Sequence, residues 1–128
     1  MQSPFRRILI IDDSEISLEM EKFVLEARGH QVETAMNLVE FDRRLKSFQP
    51  ELILVDVEMP DIAGNELVQL LKEQVETERT PIVLFSAKPD EELAILAERS
   101  GADGHLSKSN GIEKLGEMVD ELVQSIIW

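Results

Sequence analysis

Five short apolar runs recur along the chain, and segments with a helical period of apolar residues separate them. The runs are Arg7–Ile11, Gln31–Ala35, Leu52–Val55, Ile82–Phe85 and Gly104–Leu106. Most of them are continuously apolar, which is typical of strands that are covered on both faces in a parallel sheet. Because these runs alternate with helical segments, the pattern predicts a parallel sheet with helices packed against both of its faces.

Five repeats of strand and helix predict an α/β protein with a (βα)5 three-layer sandwich. The most suitable topology is flavodoxin-like, a five-stranded parallel sheet in the order 2-1-3-4-5. The chain has 128 residues, of which 43% are hydrophobic, so we expect residues 1–128 to form a single domain. In this topology, ligands bind at the carboxyl ends of the strands, near the switch between strands 1 and 3.

The first helical segment carries a regular set of apolar residues. Ile16, Met20, Val24 and Ala27 recur at intervals of three or four residues. Such spacing places side chains on one face of a helix, so we expect this set to form the buried face. Gly29 follows the segment and indicates where the helix ends.

The composition excludes several classes of function. The chain contains no cysteine, which excludes disulfides, thiolate catalysis and zinc–thiolate sites. Its net charge of −13 argues against nucleic-acid binding, because such binding requires Lys and Arg to neutralise phosphates. The apolar run near the amino terminus is too short for a signal peptide or a membrane span. We therefore expect a cytoplasmic protein without a membrane segment.

Polar residues stand immediately after four of the predicted strands. Asp12 and Asp13 follow strand 1, Asp56 follows strand 3, Ser86 follows strand 4, and Lys108 follows strand 5 closely. The carboxyl ends of neighbouring parallel strands meet at one edge of the sheet. We therefore expect these five side chains to converge on one pocket.

Such a pocket would combine three carboxylates with a lysine and a hydroxyl. Carboxylates in close contact repel one another, and a bound cation or a proton relieves the repulsion. Oxygen ligands without His or Cys favour Mg²⁺. Metal, lysine and hydroxyl around one carboxylate can hold a transferring phosphoryl group, and a carboxylate can itself be the nucleophile that forms an acyl phosphate.

Each of these residues also has a simpler interpretation when it is taken alone. Asp12 and Asp13 are residue types that cap helices, Asp56 and Ser86 suit turns, and Lys108 suits a solvated surface. The convergence of the required residue types at four separate strand ends favours the site over these alternatives.

The stretches ILIIDDSE, ILVDVEMPDIAGNEL, TPIVLFSAK and GADGHLSKS resemble the receiver domains of two-component response regulators. The resemblance covers essentially the whole chain. It implies that Asp56 accepts a phosphoryl group from a phosphohistidine of a sensor histidine kinase or a histidine phosphotransfer protein. It also implies that Mg²⁺ (or Mn²⁺) is bound by Asp13 directly, by Asp12 through water, by Asp56, and by the backbone carbonyl of Glu58.

The same resemblance implies roles for the remaining site residues. Lys108 would pair with a phosphoryl oxygen, and Ser86 would move to bond another oxygen. His105 occupies the aromatic switch position and would turn inward as Ser86 moves. The face formed by helix 4, strand 5 and helix 5 would then bind a downstream protein or a covalently linked output domain. Kinase docking would use helix 1 around Ser14–Leu18, and a monomer or weak dimer is expected.

Several residues depart from the usual pattern of this family. Ser109 replaces the proline after the lysine, so we predict a trans bond between Lys108 and Ser109, because a non-proline cis bond costs about 2.5–4 kcal/mol. His105 replaces Tyr or Phe and can titrate near neutral pH. Glu58 and Lys88 lie two residues after Asp56 and Ser86, at positions that the resemblance places beside the route of the hydrolytic water, and we expect them to form an ion pair that slows dephosphorylation.

Other functions fit the same residues less well. A receiver excised from a longer multidomain regulator would carry the same site. A small Mg-dependent phosphatase with an aspartyl nucleophile needs a second Asp two residues after Asp56, where this chain has Glu58. A flavin site is disfavoured because the acidic turn after strand 1 would repel phosphate. We therefore expect a signalling module rather than an enzyme. The presence of all five residues at the strand ends argues against a receiver that is never phosphorylated.

Overall fold

A computed structural model describes the backbone of residues 6–127 and the side chains of residues 6–125. Its strands are β1 (Arg7–Ile11), β2 (Gln31–Ala35), β3 (Leu52–Asp56), β4 (Ile82–Ser86) and β5 (Gly104–Ser107). Its α-helices are α1 (Glu15–Ala27), α2 (Leu38–Phe48), α3 (Gly64–Glu73), α4 (Asp90–Ser100) and α5 (Ile112–Leu122). A 3-10 turn, Lys108–Asn110, precedes α5, and a π-helical turn, Val123–Ile127, follows it. Within the described chain, no helix has the length and apolar character that crossing a bilayer requires.

The five strands form one parallel sheet in the order β2-β1-β3-β4-β5, which confirms the predicted topology. Asp56 pairs with Phe85, and Ser86 pairs with Ser107. The carboxyl ends of β3, β4 and β5 are therefore level with one another. This register brings the predicted polar residues to a common edge.

Each strand contributes side chains to two separate cores. In β1, Ile8 and Ile10 pack in a core with residues of α1 and α5. Leu9 and Ile11 pack in the other core, with residues of α2, α3 and α4. Because side chains alternate across a strand, burial on both faces explains why the runs are continuously apolar. The three-layer sandwich expected from the sequence is confirmed.

Helix α1 buries a different face from the one that the sequence predicts. Its buried side chains are Leu18, Glu21 and Leu25, whereas Ile16 is 72% exposed and Met20 is also exposed. Apolar residues occur on two sides of this helix, and both sets have helical spacing. The prediction selected the wrong set because packing against the sheet and α5, rather than the number of apolar residues, determines the buried face.

Polar contacts connect α1 and α5 at the amino edge of the sheet. Arg28 Nε donates to Asp120 Oδ2 at 2.6 Å, and His30 Nε2 lies 2.8 Å from Asp120 Oδ1. The backbone amide of Arg6 donates to His30 Nδ1 at 3.0 Å, so the imidazole proton lies on Nε2 and is donated to Asp120. Gly116 leaves room for the side chain of Arg28, which a Cβ at that position would overlap.

Candidate functional site

An open depression of about 570 Å³ lies at the carboxyl edge of the sheet. Its lining includes all five residues that the sequence places at the strand ends: Asp12, Asp13, Asp56, Ser86 and Lys108. Glu58, Met59 and Pro60 of the loop after β3 also line it. The structure therefore brings the predicted site residues into one pocket.

The carboxylates of Asp12, Asp13 and Asp56 each offer an oxygen, and these atoms all lie within 4.8 Å of one another. Asp12 and Asp56 are buried, whereas Asp13 is exposed. A set of three carboxylate oxygens, accessible from one side, fits a hard divalent cation. Asp12 and Asp13 do not cap α1, because the cap is Ser14, whose side chain accepts the amide hydrogen of Ser17.

Asp12 connects the three clustered carboxylates to the rest of the pocket. Its Oδ1 accepts the amide hydrogen of Ser14 at 3.0 Å, and its Oδ2 accepts a hydrogen bond from Lys108 Nζ at 2.7 Å. These two bonds hold the buried carboxylate in one orientation, between the start of α1 and the end of β5.

Asp56 is the last residue of β3, and its Oδ1 accepts the amide hydrogen of Glu58 at 3.2 Å. Burial raises the pKa of Asp56 to about 7, and the negative charge of Asp12 adds to the increase, while Lys108 opposes it. A positive charge brought into the pocket would favour the ionised carboxylate. The metal-free site therefore holds this group close to its titration point at neutral pH.

Lys108 is the cation of the pocket. Its Nζ lies 3.9 Å from Asp56 Oδ2 and 4.3 Å from the centroid of the Phe85 ring. Burial acts to lower the pKa of Lys108, but the hydrogen bond to Asp12 and the charges of Glu21, Asp56 and Asp12 together raise it. The ammonium group is therefore charged at neutral pH and stands next to the acidic group.

Hydrogen bonds between Ser107 and Ser109 fix the turn that carries Lys108, where receiver domains usually have a proline after the lysine. The Oγ atoms of Ser107 and Ser109 lie 2.6 Å apart, and Ser107 Oγ donates to the carbonyl of Lys88 at 2.7 Å. All described peptide bonds are trans, so the prediction for the bond between Lys108 and Ser109 is confirmed. Side-chain hydrogen bonds thus fix the backbone without a proline.

Ser86 and Glu58 line the pocket, and Lys88 contacts both of them. The buried Ser86 Oγ accepts the amide hydrogen of Lys88 at 3.2 Å. Lys88 Nζ lies 3.8 Å from Glu58 Oε1 and 4.0 Å from Glu92 Oε2. The ion pair between Glu58 and Lys88 that the sequence predicts is present, and its effect on dephosphorylation stays a prediction.

His105 lies away from the acidic pocket. It is half-buried on β5, opposite Leu84 of β4. Together with Met118 and Leu122 of α5 it lines a shallow groove on the side of the domain. Its role as a switch stays a prediction.

The sequence interpretation missed two residues that shape this site. Glu21 is buried beside Lys108, with its Oε2 3.4 Å from Nζ. Its spacing from Leu18 and Leu25 was the signal, because it places a carboxylate on the buried face of α1. Gly64 approaches the end of β3 so closely that a Cβ would overlap the backbone carbonyl of Asp56. Such a close approach leaves no periodic pattern in the sequence, because it depends on the distance to a backbone atom of another element.

The fold and the site define a class, a parallel (βα)5 domain with an acidic, lysine-containing pocket at the carboxyl edge of its sheet. Residues 8–120 match the family model described as "Response regulator receiver domain", and the chain belongs to this family. Receiver domains are signalling modules of two-component systems.

Individual relatives agree with this assignment. The phosphate regulon transcriptional regulatory protein PhoB of Rhizobium meliloti is 31% identical over 102 residues, which cover 80% of this chain and 45% of PhoB. This chain therefore spans about half the length of that relative. Protein PilH of Pseudomonas aeruginosa is 29% identical over 117 residues, which cover 91% of this chain and 97% of PilH. The structure of the chemotaxis response regulator CheY4 of Vibrio cholerae has a TM-score of 0.81 and 27% identity, and the match covers 92% of this chain and 98% of CheY4.

Proposed function

We propose that the chain is a phosphorylation-switched receiver in which Asp56 accepts a phosphoryl group from a phosphohistidine. The observation that supports this most directly is the position of the Asp56 carboxylate, within 4.8 Å of two further carboxylates and 3.9 Å from the Lys108 ammonium group. An oxygen of Asp56 attacks phosphorus, the bond from phosphorus to the imidazole nitrogen breaks, and an acyl phosphate forms.

A divalent cation belongs to the proposed site. Asp12, Asp13, Asp56 and the backbone carbonyl of Glu58 would hold Mg²⁺ or Mn²⁺, which would supply positive charge against the phosphoryl oxygens. Oxygen donors alone, with one exposed carboxylate among them, fit these ions rather than zinc.

Two side chains of the protein, Lys108 and Ser86, bind oxygens of the transferred phosphoryl group. The ammonium of Lys108 moves from Asp12 toward a phosphoryl oxygen, and the hydroxyl of Ser86 turns from the amide of Lys88 to donate to another. Ser86 pairs with Ser107 at the end of β5, so a movement of Ser86 alters the strand that carries His105. The face formed by α4, β5 and α5 then changes and binds a downstream protein or a covalently linked output domain.

The phosphodonor docks on α1 beside the pocket. Ile16, Met20 and Phe23 are exposed there, and Phe23 is 75% exposed. These residues recur at helical spacing and present an apolar ridge on the solvent side of α1. An apolar helical surface on a histidine kinase or histidine phosphotransfer protein would cover this ridge.

Incubation with acetyl phosphate and Mg²⁺, followed by intact-mass measurement, tests the proposed role of Asp56. The wild type should gain the mass of one phosphoryl group, and Asp56→Asn should not. Asp61→Asn is the matched control, because Asp61 is an exposed aspartate in the loop that follows Asp56. A wild type that is never modified, and that does not bind beryllofluoride, would show that Asp56 is not a phosphoacceptor.

A further inference from the structure

A fourth acidic side chain lies next to the pocket without lining it. Glu21 of α1 is only 2% exposed, and its Oε2 lies 3.4 Å from Lys108 Nζ. Its Oε1 is buried and has no hydrogen-bond partner among the described residues. Such a buried carboxylate is costly unless it is neutralised or paired, so its place beside the key lysine requires an explanation.

Lys108 separates two cavities. On one side it lines the phosphorylation depression with Asp12 and Asp56. On the other side it lines a smaller cavity between α1 and α5, together with Glu21 and Ile112. Glu21 is therefore on the opposite side of the lysine from the proposed phosphoacceptor.

Three carboxylates share the ammonium group of Lys108, at different distances. Lys108 Nζ lies 2.7 Å from Asp12, 3.4 Å from Glu21 and 3.9 Å from Asp56. In the unphosphorylated protein the ammonium group is thus closer to Glu21 than to Asp56. Pairing with a phosphoryl oxygen requires it to move away from Glu21.

We propose that Glu21 is a positioning residue that competes with the phosphorylation site for the ammonium group of Lys108. This inference rests on the proposed function of Asp56 as the phosphoacceptor. Glu21 does not contact the phosphoryl group. It draws Lys108 toward α1, so that the phosphorylated state forms only after this contact is broken.

The competition depends on the charge of Glu21. Burial raises the pKa of Glu21 to about 8, with Lys108 opposing the increase and the charges of Asp12 and Asp56 adding to it. Without a cation the carboxyl group is therefore mainly neutral at pH 6.5 and mainly ionised at pH 9. Mg²⁺ at Asp12 and Asp56 would offset part of the increase, so in its presence the neutral fraction is smaller but still largest at the lowest pH. A glutamine at this position has the shape and hydrogen-bonding oxygen of the protonated acid but no charge.

The test compares initial rates of phosphorylation by acetyl phosphate, with saturating Mg²⁺, for the wild type and Glu21→Gln between pH 6.5 and pH 9. We expect the ratio of the Glu21→Gln rate to the wild-type rate to be smallest at pH 6.5 and to rise to about fivefold at pH 9, equivalent to about 1 kcal/mol. At pH 9 Asp56 is ionised in both proteins, since this pH lies well above its pKa of about 7, so the difference at that pH does not arise from Asp56 ionisation. A purely structural role of Glu21 would give a rate ratio that does not change with pH.

Two further variants keep the result specific. Glu19→Gln makes the same change at an exposed position of α1 and should follow the wild type at every pH. Glu21→Met removes the charge with little change in volume and should reproduce the ratios of Glu21→Gln. A constant ratio, or an equal effect of Glu19→Gln, would overturn the role of Glu21 while leaving Asp56 as the phosphoacceptor. Failure of every protein to be modified would overturn both proposals.

Discussion

The two edges of the sheet carry charged clusters of opposite character. At the carboxyl edge, one cation, Lys108, faces three buried acids, Asp12, Glu21 and Asp56. The pKa of Glu21 is raised to about 8 and that of Asp56 to about 7, chiefly by burial. This cluster has more acid than its own cation can neutralise.

At the amino edge the charges are matched. Asp120 receives hydrogen bonds from Arg28 and His30. Partial burial acts to raise the pKa of Asp120, but these two bonds and the charge of Arg28 lower it overall. The comparison shows that one edge is built for stability, whereas the other is held in an unfavourable state that a cation and a phosphoryl group would relieve.

A glycine lies against each cluster, Gly64 at the carboxyl edge and Gly116 at the amino edge. Substituting the two glycines by alanine should give the largest difference in stability between the edges. A Cβ at Gly64 would overlap the backbone of Asp56, which cannot move without disturbing β3, whereas a Cβ at Gly116 would overlap only the flexible side chain of Arg28. We expect Gly64→Ala to lower the free energy of unfolding by about 3 kcal/mol. Gly116→Ala should lower it by about 1 kcal/mol or less, because the better helix propensity of alanine offsets part of the cost of displacing Arg28. Urea denaturation measures both. Equal losses would mean that the edge at Asp56 is as adaptable as the other.

The matched cluster should be the stronger contributor to stability. Asp120→Ala removes the hydrogen bonds that Asp120 accepts from Arg28 and from the buried His30, which we expect to cost about 2 kcal/mol in the free energy of unfolding. Glu121→Ala, at the exposed neighbouring position, is the control and should cost much less. Similar losses in the two variants would contradict the importance assigned to the amino-edge cluster.

The strand ends show why so much of the site could be predicted. Parallel strands bring their carboxyl ends together whatever the details of packing, so five residues separated in sequence could be placed in one pocket from strand bounds alone. An error of one residue in those bounds, as at Asp56 and Ser86, does not change which edge they occupy.

Helix α1 shows why the rest could not be predicted. Ile16 and Leu18 both belong to plausible apolar faces, and only packing against the sheet and α5 decides between them. Because the prediction chose the other face, it gave no role to Glu21 and did not foresee its contact with Lys108. Gly64 escaped notice for a similar reason, because its role depends on the distance to a backbone atom far away in sequence.

A divalent cation should stabilise the fold through the acidic cluster at the carboxyl edge and not through the cluster at the amino edge. Mg²⁺ at ten times its dissociation constant should raise the free energy of unfolding by about 1.4 kcal/mol. Asp13→Asn should lose most of this gain, because Asp13 is the exposed member of the metal-binding group, whereas Asp120→Ala should keep it. The measurement is urea denaturation with Mg²⁺ and with EDTA. An equal gain in Asp13→Asn would show that Mg²⁺ stabilises the chain elsewhere.

The two clusters should also respond to pH with opposite signs. In metal-free protein, folding raises the pKa of Glu21 from 4.5 to about 8, so the folded state binds more protons and stability falls as pH rises across this interval. Asp120, whose pKa is lowered from 3.8, loses its contribution only as pH falls below that value. We expect a loss of about 1 kcal/mol between pH 7 and pH 8 in EDTA, and a smaller loss in Glu21→Gln, where Asp56 alone titrates in this direction. Stability that rises over this range would refute the unfavourable state assigned to the carboxyl edge.

The smallest effect concerns the exposed ion pair at the rim of the acid-rich edge. Glu58 and Lys88 lie 3.8 Å apart with both side chains accessible, and exposed pairs contribute only about 0–1 kcal/mol. Their expected action is steric, because together they cover the approach of water to phosphorylated Asp56. Glu58→Ala and Lys88→Ala should each shorten the phosphoryl half-life about twofold, a change within the energy of such a pair. Since the two residues act together, the double variant should be no faster than either one, and Glu92→Ala, which removes the other partner of Lys88, should change little. Unchanged half-lives in both single variants would leave the pair without a role in retaining the phosphoryl group, and the longevity of the acyl phosphate would then depend on the buried residues alone.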